Sequence, residues 1–251
     1  MSDVITLEKV LSSKVYVQEK SQISFGSPKQ YIEPFLEKLN NAGATFRVAV
    51  SERSANKEES GQTNEAFGRV LVEAKLPQEY TAFEHDSVIG LVYALDTQKP
   101  VIKVYSGQNA WACTNLAIFG ASYLHEVQIM QGYSSVYEKA LTYVEEVGEQ
   151  LTKFKRNYET LNNRILRGNQ IDEQIGYLLR ESYRNKQIGT TPIISAVKDL
   201  EDPKTRYGIQ NDETTQWNIY SAVTQYVTDK VDIAEKASKT VMISKLFLTE
   251  L

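Results

Sequence analysis

Apolar and polar positions change rhythm near the middle of the chain. In the first half, β-branched and aromatic residues alternate or cluster over strand-length runs at residues 14–19 (KVYVQE), 46–52 (FRVAVSE), 67–76 (FGRVLVEAKL), 87–96 (SVIGLVYALD) and 100–107 (PVIKVYSG). Such runs predict strands, because these side chains fit a pleated, half-buried surface. Only the tripeptide TQK parts the last two, the spacing of a tight antiparallel hairpin, so the last three runs are expected to form a meander. Between the first two, residues 27–43 predict a helix capped by Ser27, with Pro28 in its first turn and its close at Asn41 or Gly43. Pro34 is an obstacle inside it. Residues 54–66 hold no large apolar side chain and read as a loop or linker. The segment AWACTNLAIFG follows the meander at once and closes at Gly120, which predicts a short buried helix crossing the sheet.

The second half switches to helical periods. Val144, Leu151, Tyr158 and Ile165 recur every seven residues, interleaved with Ala140, Val147, Phe154 and Leu161. This predicts one long helix, opened by Ser135 and Glu138 at capping-box spacing and closed by Gly168. A two-position stripe of that length packs against a partner helix, from the same chain or from a second copy. Further helices are expected over residues 171–186, from Thr191 and Pro192 onward, through TTQWNIYSAVTQYVTD and through AEKASKTVMISKLF. The third of these has Asp212 as its cap and aligns Trp217, Tyr220, Thr224 and Val227 on one face. The expected fold class is therefore α+β: an N-terminal antiparallel β-meander with a crossing helix, then a helical C-terminal half containing one long helix. The two regions are residues 1–130 and 131–251, which can share one core.

Composition narrows the function more by exclusion than by assertion. With 41% hydrophobic and 24% charged residues the chain can bury an ordinary core, and its net charge of −4 speaks against wholesale binding of polyanions. Any nucleic-acid surface has to be local. The N-terminus lacks the basic-then-apolar order of a signal peptide, no apolar run is long enough to span a membrane, and one cysteine cannot form an internal disulfide. The expectation is a cytosolic protein with no membrane contact.

Candidate chemistry is sparse. Cys113, at the start of the predicted crossing helix, is placed for thiol activation, with His85 and His125 as the available bases. Its neighbours Ala112, Leu116 and Ile118 favour a packing role instead. The tetrapeptide FEHD sets Glu84, His85 and Asp86 side by side before a strand, with Glu84 and Asp86 on one face and His85 on the other. A structural zinc site needs four Cys or His ligands and the chain has three such residues, so no metal is expected. The carboxylate pairs Glu58–Glu59, Glu145–Glu146 and Glu201–Asp202 read as solvated surface, and there is neither a phosphate-cradling glycine loop nor a nucleophile elbow. No catalytic residue and no cofactor are expected, and the protein is read as a non-enzyme.

One feature points at a ligand class. Residues 151–169 carry Lys153, Lys155, Arg156, Arg164 and Arg167 against Glu159 alone among the acids, with aromatic side chains interspersed. Residues 177–186 repeat the mixture with Arg180, Arg184 and Lys186, while Lys99 and Lys103 sit at the third strand of the meander with Tyr105 and Trp111 nearby. Cations that follow a phosphate backbone, beside rings that stack on bases, are what a sequence-tolerant single-strand binder needs.

The motifs WACTNLAIFGA and TQWNIYSAVTQYVTD, with FGRVLVEAKLP before them, resemble a phage and plasmid family of unknown function, DUF932. Cys113, Thr114 and Asn115 match its C-T/S-N motif; Trp217, Ala222, Thr224 and Tyr226 match its late helix, where Ser221 replaces the family's usual Asn. The resemblance spans approximately residues 46–229 and implies a role in phage DNA metabolism, which makes the expected compartment the host cytoplasm. A strand meander followed by a helix is also similar in architecture to the Rad52 and Red-beta type of single-strand annealing protein. Together these readings make a single-stranded DNA binding and annealing protein, homo-oligomeric through its long helix, the leading expectation. The alternative is a non-enzymatic virion or host-takeover protein that binds protein partners.

Overall fold

The computed structural model describes residues 8, 11–12, 28–51, 69–94, 101–110, 115–128, 134–184, 188–233 and 235–248. In chain order its elements begin with α1 (Pro28–Asn40), β1 (Thr45–Ser51), β2 (Arg69–Lys75), β3 (Thr81–Ala82), β4 (His85–Ala94), β5 (Val101–Ala110), β6 (Asn115–Ala117) and β7 (Leu124–Gln128). They continue with α2 (Ser134–Glu145), α3 (Val147–Asn162), β8 (Ile165–Arg167), α4 (Asn169–Arg184), α5 (Thr191–Glu201), β9 (Glu213–Thr215), α6 (Gln216–Lys230) and α7 (Lys236–Phe247). The fold is α+β, an N-terminal antiparallel sheet followed by a helical C-terminal half.

The main sheet runs β1-β2-β4-β5, every neighbour antiparallel, with β3 pairing beside β4 and with β6 and β7 sharing the far side of β5. Strand alternation sorts its side chains into two cores. Val70, Val72, Ala74, Ile89, Leu91, Tyr93, Ile102 and Val104 face α1 and α2, while Leu71, Val88, Val92 and Tyr105 face Ile233 and the Ala237 and Val241 side of α7. A third core gathers α3 to α7 around Trp217, Tyr220 and Phe154 and draws in Ala82, Ala117 and Phe119 from the sheet region. Helices of the second half thus cover both faces of a sheet made by the first half.

Pro34 does sit inside α1. A proline cannot donate to the carbonyl four residues earlier, and here the Tyr137 hydroxyl of α2 lies 3.3 Å from the Gln30 oxygen and 2.9 Å from that of Tyr31. The interruption is answered by tertiary structure. On the α7 face, Gly90 is required by a close approach, since a Cβ there would lie 2.1 Å from Cζ of Tyr105. The Tyr105 ring crosses over it, and its hydroxyl donates to the buried carboxylate of Glu73, which Arg47 and Asn109 also hold.

Four expectations change. The crossing helix is a strand: β5 runs on to Ala110 and β6 folds back on it, pairing Asn109 with Leu116. The open side of β5 needs backbone partners, and that need overrides the local helical reading. The long helix is two helices meeting at Glu146, bridged by the backbone bonds Glu146 to Thr142 and Gln150 to Glu146, and it ends at Asn162. Its stripe is consumed inside the chain, with Ala140 and Val147 against the sheet and Leu151, Phe154 and Leu161 in the helical core. No continuous seam for a second copy remains among the described residues, which removes the argument for oligomerisation through this helix. Gly168 has a positive φ of 47°, yet it follows β8, where Ile165 is exposed. The cap of α6 is Thr215, whose hydroxyl accepts from the Asn218 N–H at 3.1 Å, while Asp212 occupies a preceding turn. The predicted strand at 14–19, the loop at 54–66, the TQK turn, Lys99, Trp111, Cys113 and Lys186 lie outside the described residues.

Candidate functional site

Local chemistry in the β3–β4 hairpin sets up the site. Ala82 pairs with His85, leaving Phe83 and Glu84 as a two-residue turn with φ of 50° and 63°. Such a hairpin demands left-handed backbone at both turn positions, which Gly, Asn and Asp supply easily and a bulky side chain does not. The turn leaves Phe83 41% exposed, with its ring stacked on Tyr158 of α3 at 4.1 Å between centroids and 12° between planes. Behind this pair, Trp217 of α6 stands edge-on to Tyr158 at 4.7 Å and to His85 at 5.6 Å. The hairpin, α3 and α6 therefore meet through rings.

Beside the rings lies a cleft of about 180 Å³. Its walls come from His85 of β4, Asn115 of β6, Tyr158 and Asn162 of α3, Arg206 and Tyr207 of the α5–β9 connection, and Trp217, Asn218 and Ser221 of α6. His85 is buried, and its Nδ1 lies 2.7 Å from the Phe83 carbonyl oxygen. A carbonyl only accepts, so Nδ1 carries the proton and Nε2 carries a lone pair. Burial pushes the imidazole below its ordinary pKa and Arg206 pushes the same way, against the Phe83 bond and the charges of Glu84 and Asp86. At neutral pH the ring is neutral and Nε2 is an acceptor.

Asn115, 6% exposed, is oriented just as firmly. Its Nδ2 donates to the Ser221 carbonyl at 3.3 Å and reaches the Tyr207 hydroxyl at 3.5 Å, so the amide oxygen is turned away from both. That oxygen is buried and has no hydrogen-bond partner among the described residues. A buried acceptor left open carries a desolvation cost of about 1–3 kcal/mol. The residues lining the cleft thus bring aromatic walls, side-chain amides, the unpartnered oxygen of Asn115 and the lone-pair nitrogen of His85.

The residues expected from sequence divide around this cleft. Lys155 shares a helix face with Tyr158 and Asn162, and Arg164 bonds Gln216, the neighbour of Trp217, at 3.4 Å; both are exposed. Arg156 points to solvent, and Lys153 lies over the Tyr123 ring at 5.5 Å on the other edge of α3. Arg167 is paired with Glu213 at 2.7 Å, and Arg180 and Arg184 both pair with Glu181 on α4. Two expected residues are inside the protein. Lys103 is buried against Glu126 at 3.0 Å and Ser238 at 3.2 Å, and Tyr105 is 2% exposed beneath α7. They do not form a second wall, because strand alternation turns both toward α7.

Glu84 and Asp86 do not converge either. Glu84 is exposed in the turn, and Asp86 is held by Lys75 at 2.7 Å and Thr81 at 2.8 Å. His85, set on the opposite face by the same alternation, belongs to the cleft. Sequence reading missed Phe83, Asn115, Asn162, Arg206 and Asn218 as a group. The one available signal was Phe-Glu at a turn position, where a hairpin favours Asn or Gly. No family model, curated protein or solved structure matches the chain.

Proposed function

We propose that the protein binds single-stranded DNA, with a base stacked on the Phe83–Tyr158 pair and the strand passing across the mouth of the cleft. The observation that carries this reading is the exposed Phe83 ring, held against Tyr158 by a turn that Phe does not favour. Strained backbone kept at an exposed aromatic points to a task for the ring. Lys155 and Arg164 flank the cleft within reach of a phosphate backbone, and Arg206 lines it. A second mixture of cations and rings lies on α4, where Tyr183 is 80% exposed between Arg180 and Arg184.

The two motifs behind the DUF932 resemblance also meet here: Asn115 comes from the first, and Trp217, Asn218 and Ser221 lie in the second. That convergence supports extending the reading to annealing in phage recombination. Gel shift of labelled single strands over a salt series tests the binding. The expected result is a complex that weakens steeply with salt as each neutralised phosphate releases counterion. Absence of binding at low salt overturns the reading, and faster pairing of complementary strands in a fluorescence assay tests annealing.

A further inference from the structure

Resting on that reading, we infer that the cleft is a base-reading pocket that selects bases carrying an exocyclic amino group over thymine and uracil. Two acceptors belong to residues that line the cleft. The Asn115 amide oxygen is buried and unpartnered among the described residues, its orientation fixed by the Ser221 carbonyl on Nδ2. His85 Nε2 is the lone-pair nitrogen, because Nδ1 donates to the Phe83 carbonyl. Neither can be satisfied by another acceptor.

An exocyclic amino group brings two N–H donors on a single nitrogen, as in cytosine and adenine. Thymine and uracil bring one ring N–H flanked by carbonyl oxygens, which would face these acceptors as repelling groups. A site built to hydrogen-bond an N–H rejects the analogue without it, because its own buried groups then stay unpaired. Ring walls hold such a base in place: Trp217 stands edge-on to both His85 and Tyr158. Stacking on Phe83 is indifferent to base identity, so the cleft and not the platform is the source of selectivity. Arg206 completes the wall with a donor that suits a base acceptor or the adjoining phosphate.

Oligo(dC) and oligo(dU) of equal length isolate this property, since both are pyrimidines of one shape and charge. Fluorescence polarisation at fixed salt and neutral pH is expected to show oligo(dC) binding roughly ten-fold to hundred-fold tighter, the range for a well-matched base contact. The His85→Phe and Asn115→Ala variants, checked for folding by circular dichroism, are each expected to bring that ratio toward one. An oligomer of N4,N4-dimethyl-dC, which lacks the amino donors, gives the same test on the unmodified protein and should fall toward oligo(dU). Equal binding of oligo(dC) and oligo(dU) overturns the base-reading pocket and leaves single-strand binding standing. Failure to bind either overturns single-strand binding itself.

Discussion

Two hairpin turns in this molecule make the same backbone from opposite kinds of residue. Asn211 and Asp212 join Gln210 to Glu213 with φ of 52° and 59°, and Phe83 and Glu84 join Ala82 to His85 with φ of 50° and 63°. Asn and Asp enter the left-handed region readily because their short polar side chains bond nearby backbone. Phe and Glu have no such compensation, and the left-handed conformation costs them roughly 1–2 kcal/mol each. The first turn is exposed and leads into β9, which pairs with β8. The second hangs an aromatic ring over Tyr158 at the mouth of a cleft. Strain kept at one turn and avoided at the other marks where the position of a side chain outweighs the ease of the backbone.

The largest expected effect comes from making the two turns alike. Replacing Phe83 and Glu84 together by Asn and Gly should relieve backbone strain and raise stability to denaturant by about 2–4 kcal/mol, less what the lost ring stack contributed. The same change should weaken single-strand binding by about 1–3 kcal/mol, the worth of one stacked base. Denaturant melts and polarisation titrations on the one variant read both, and a variant that loses stability along with binding would break the comparison.

The reverse exchange is next in size. Asn211→Phe with Asp212→Glu should cost about 2 kcal/mol of stability and leave the affinity for oligo(dC) where it was. A fall in affinity there would extend the binding surface to the Asn211–Asp212 turn beside the β8–β9 pair.

Acidification separates the two turns through His85. Its folded pKa lies below the ordinary value of about 6.5 because of burial, so the fold prefers the neutral ring. The stability this gives is fully present above the ordinary value and is lost as pH falls toward the depressed one, where the unfolded chain binds the proton first. Melting temperature should therefore drop more steeply with acid in the wild type than in His85→Phe. Preference for oligo(dC) should decline in the same window, since a protonated Nε2 no longer accepts. The groups that set this titration are Arg206, Glu84 and Asp86 around the ring.

The smallest effect is expected from Tyr158→Phe, which keeps the ring under Phe83. Affinity should stay near the wild-type value, whereas Tyr158→Ala should weaken binding toward the level of the Asn-Gly turn. A large loss in Tyr158→Phe would show that the hydroxyl, and not the stack, is what the strand contacts.

Much of the fold was legible in local pattern. Runs rich in Val, Ile and Tyr marked β2, β4 and β5, and Pro28, Pro192 and the spacing of Trp217, Tyr220, Thr224 and Val227 marked α1, α5 and α6. What failed was local pattern set against tertiary demand. Asn115 to Ala117 read as part of a helix until the open side of β5 recruited them, and the seven-residue stripe from Val144 to Ile165 read as one seam until its two halves packed on different cores. The site was less legible still. His85 was noticed for its neighbours Glu84 and Asp86, which turn out to point elsewhere, while its actual neighbours Asn115, Tyr158 and Trp217 are distant in sequence.

By itself the sequence determined the class of the fold, the four long strands β1, β2, β4 and β5, the identity of most helices, and the presence of cations and rings in an acidic chain. Those properties follow from period, propensity and composition, which act over a few residues. Only the tertiary structure decided which cations stay at the surface, that Lys103 and Tyr105 are enclosed, and that His85 and Asn115, the latter with an unpartnered oxygen, line one cleft. Burial and hydrogen-bond satisfaction depend on which elements meet, and here they join residues from β4, β6, α3 and α6 that no local rule brings together.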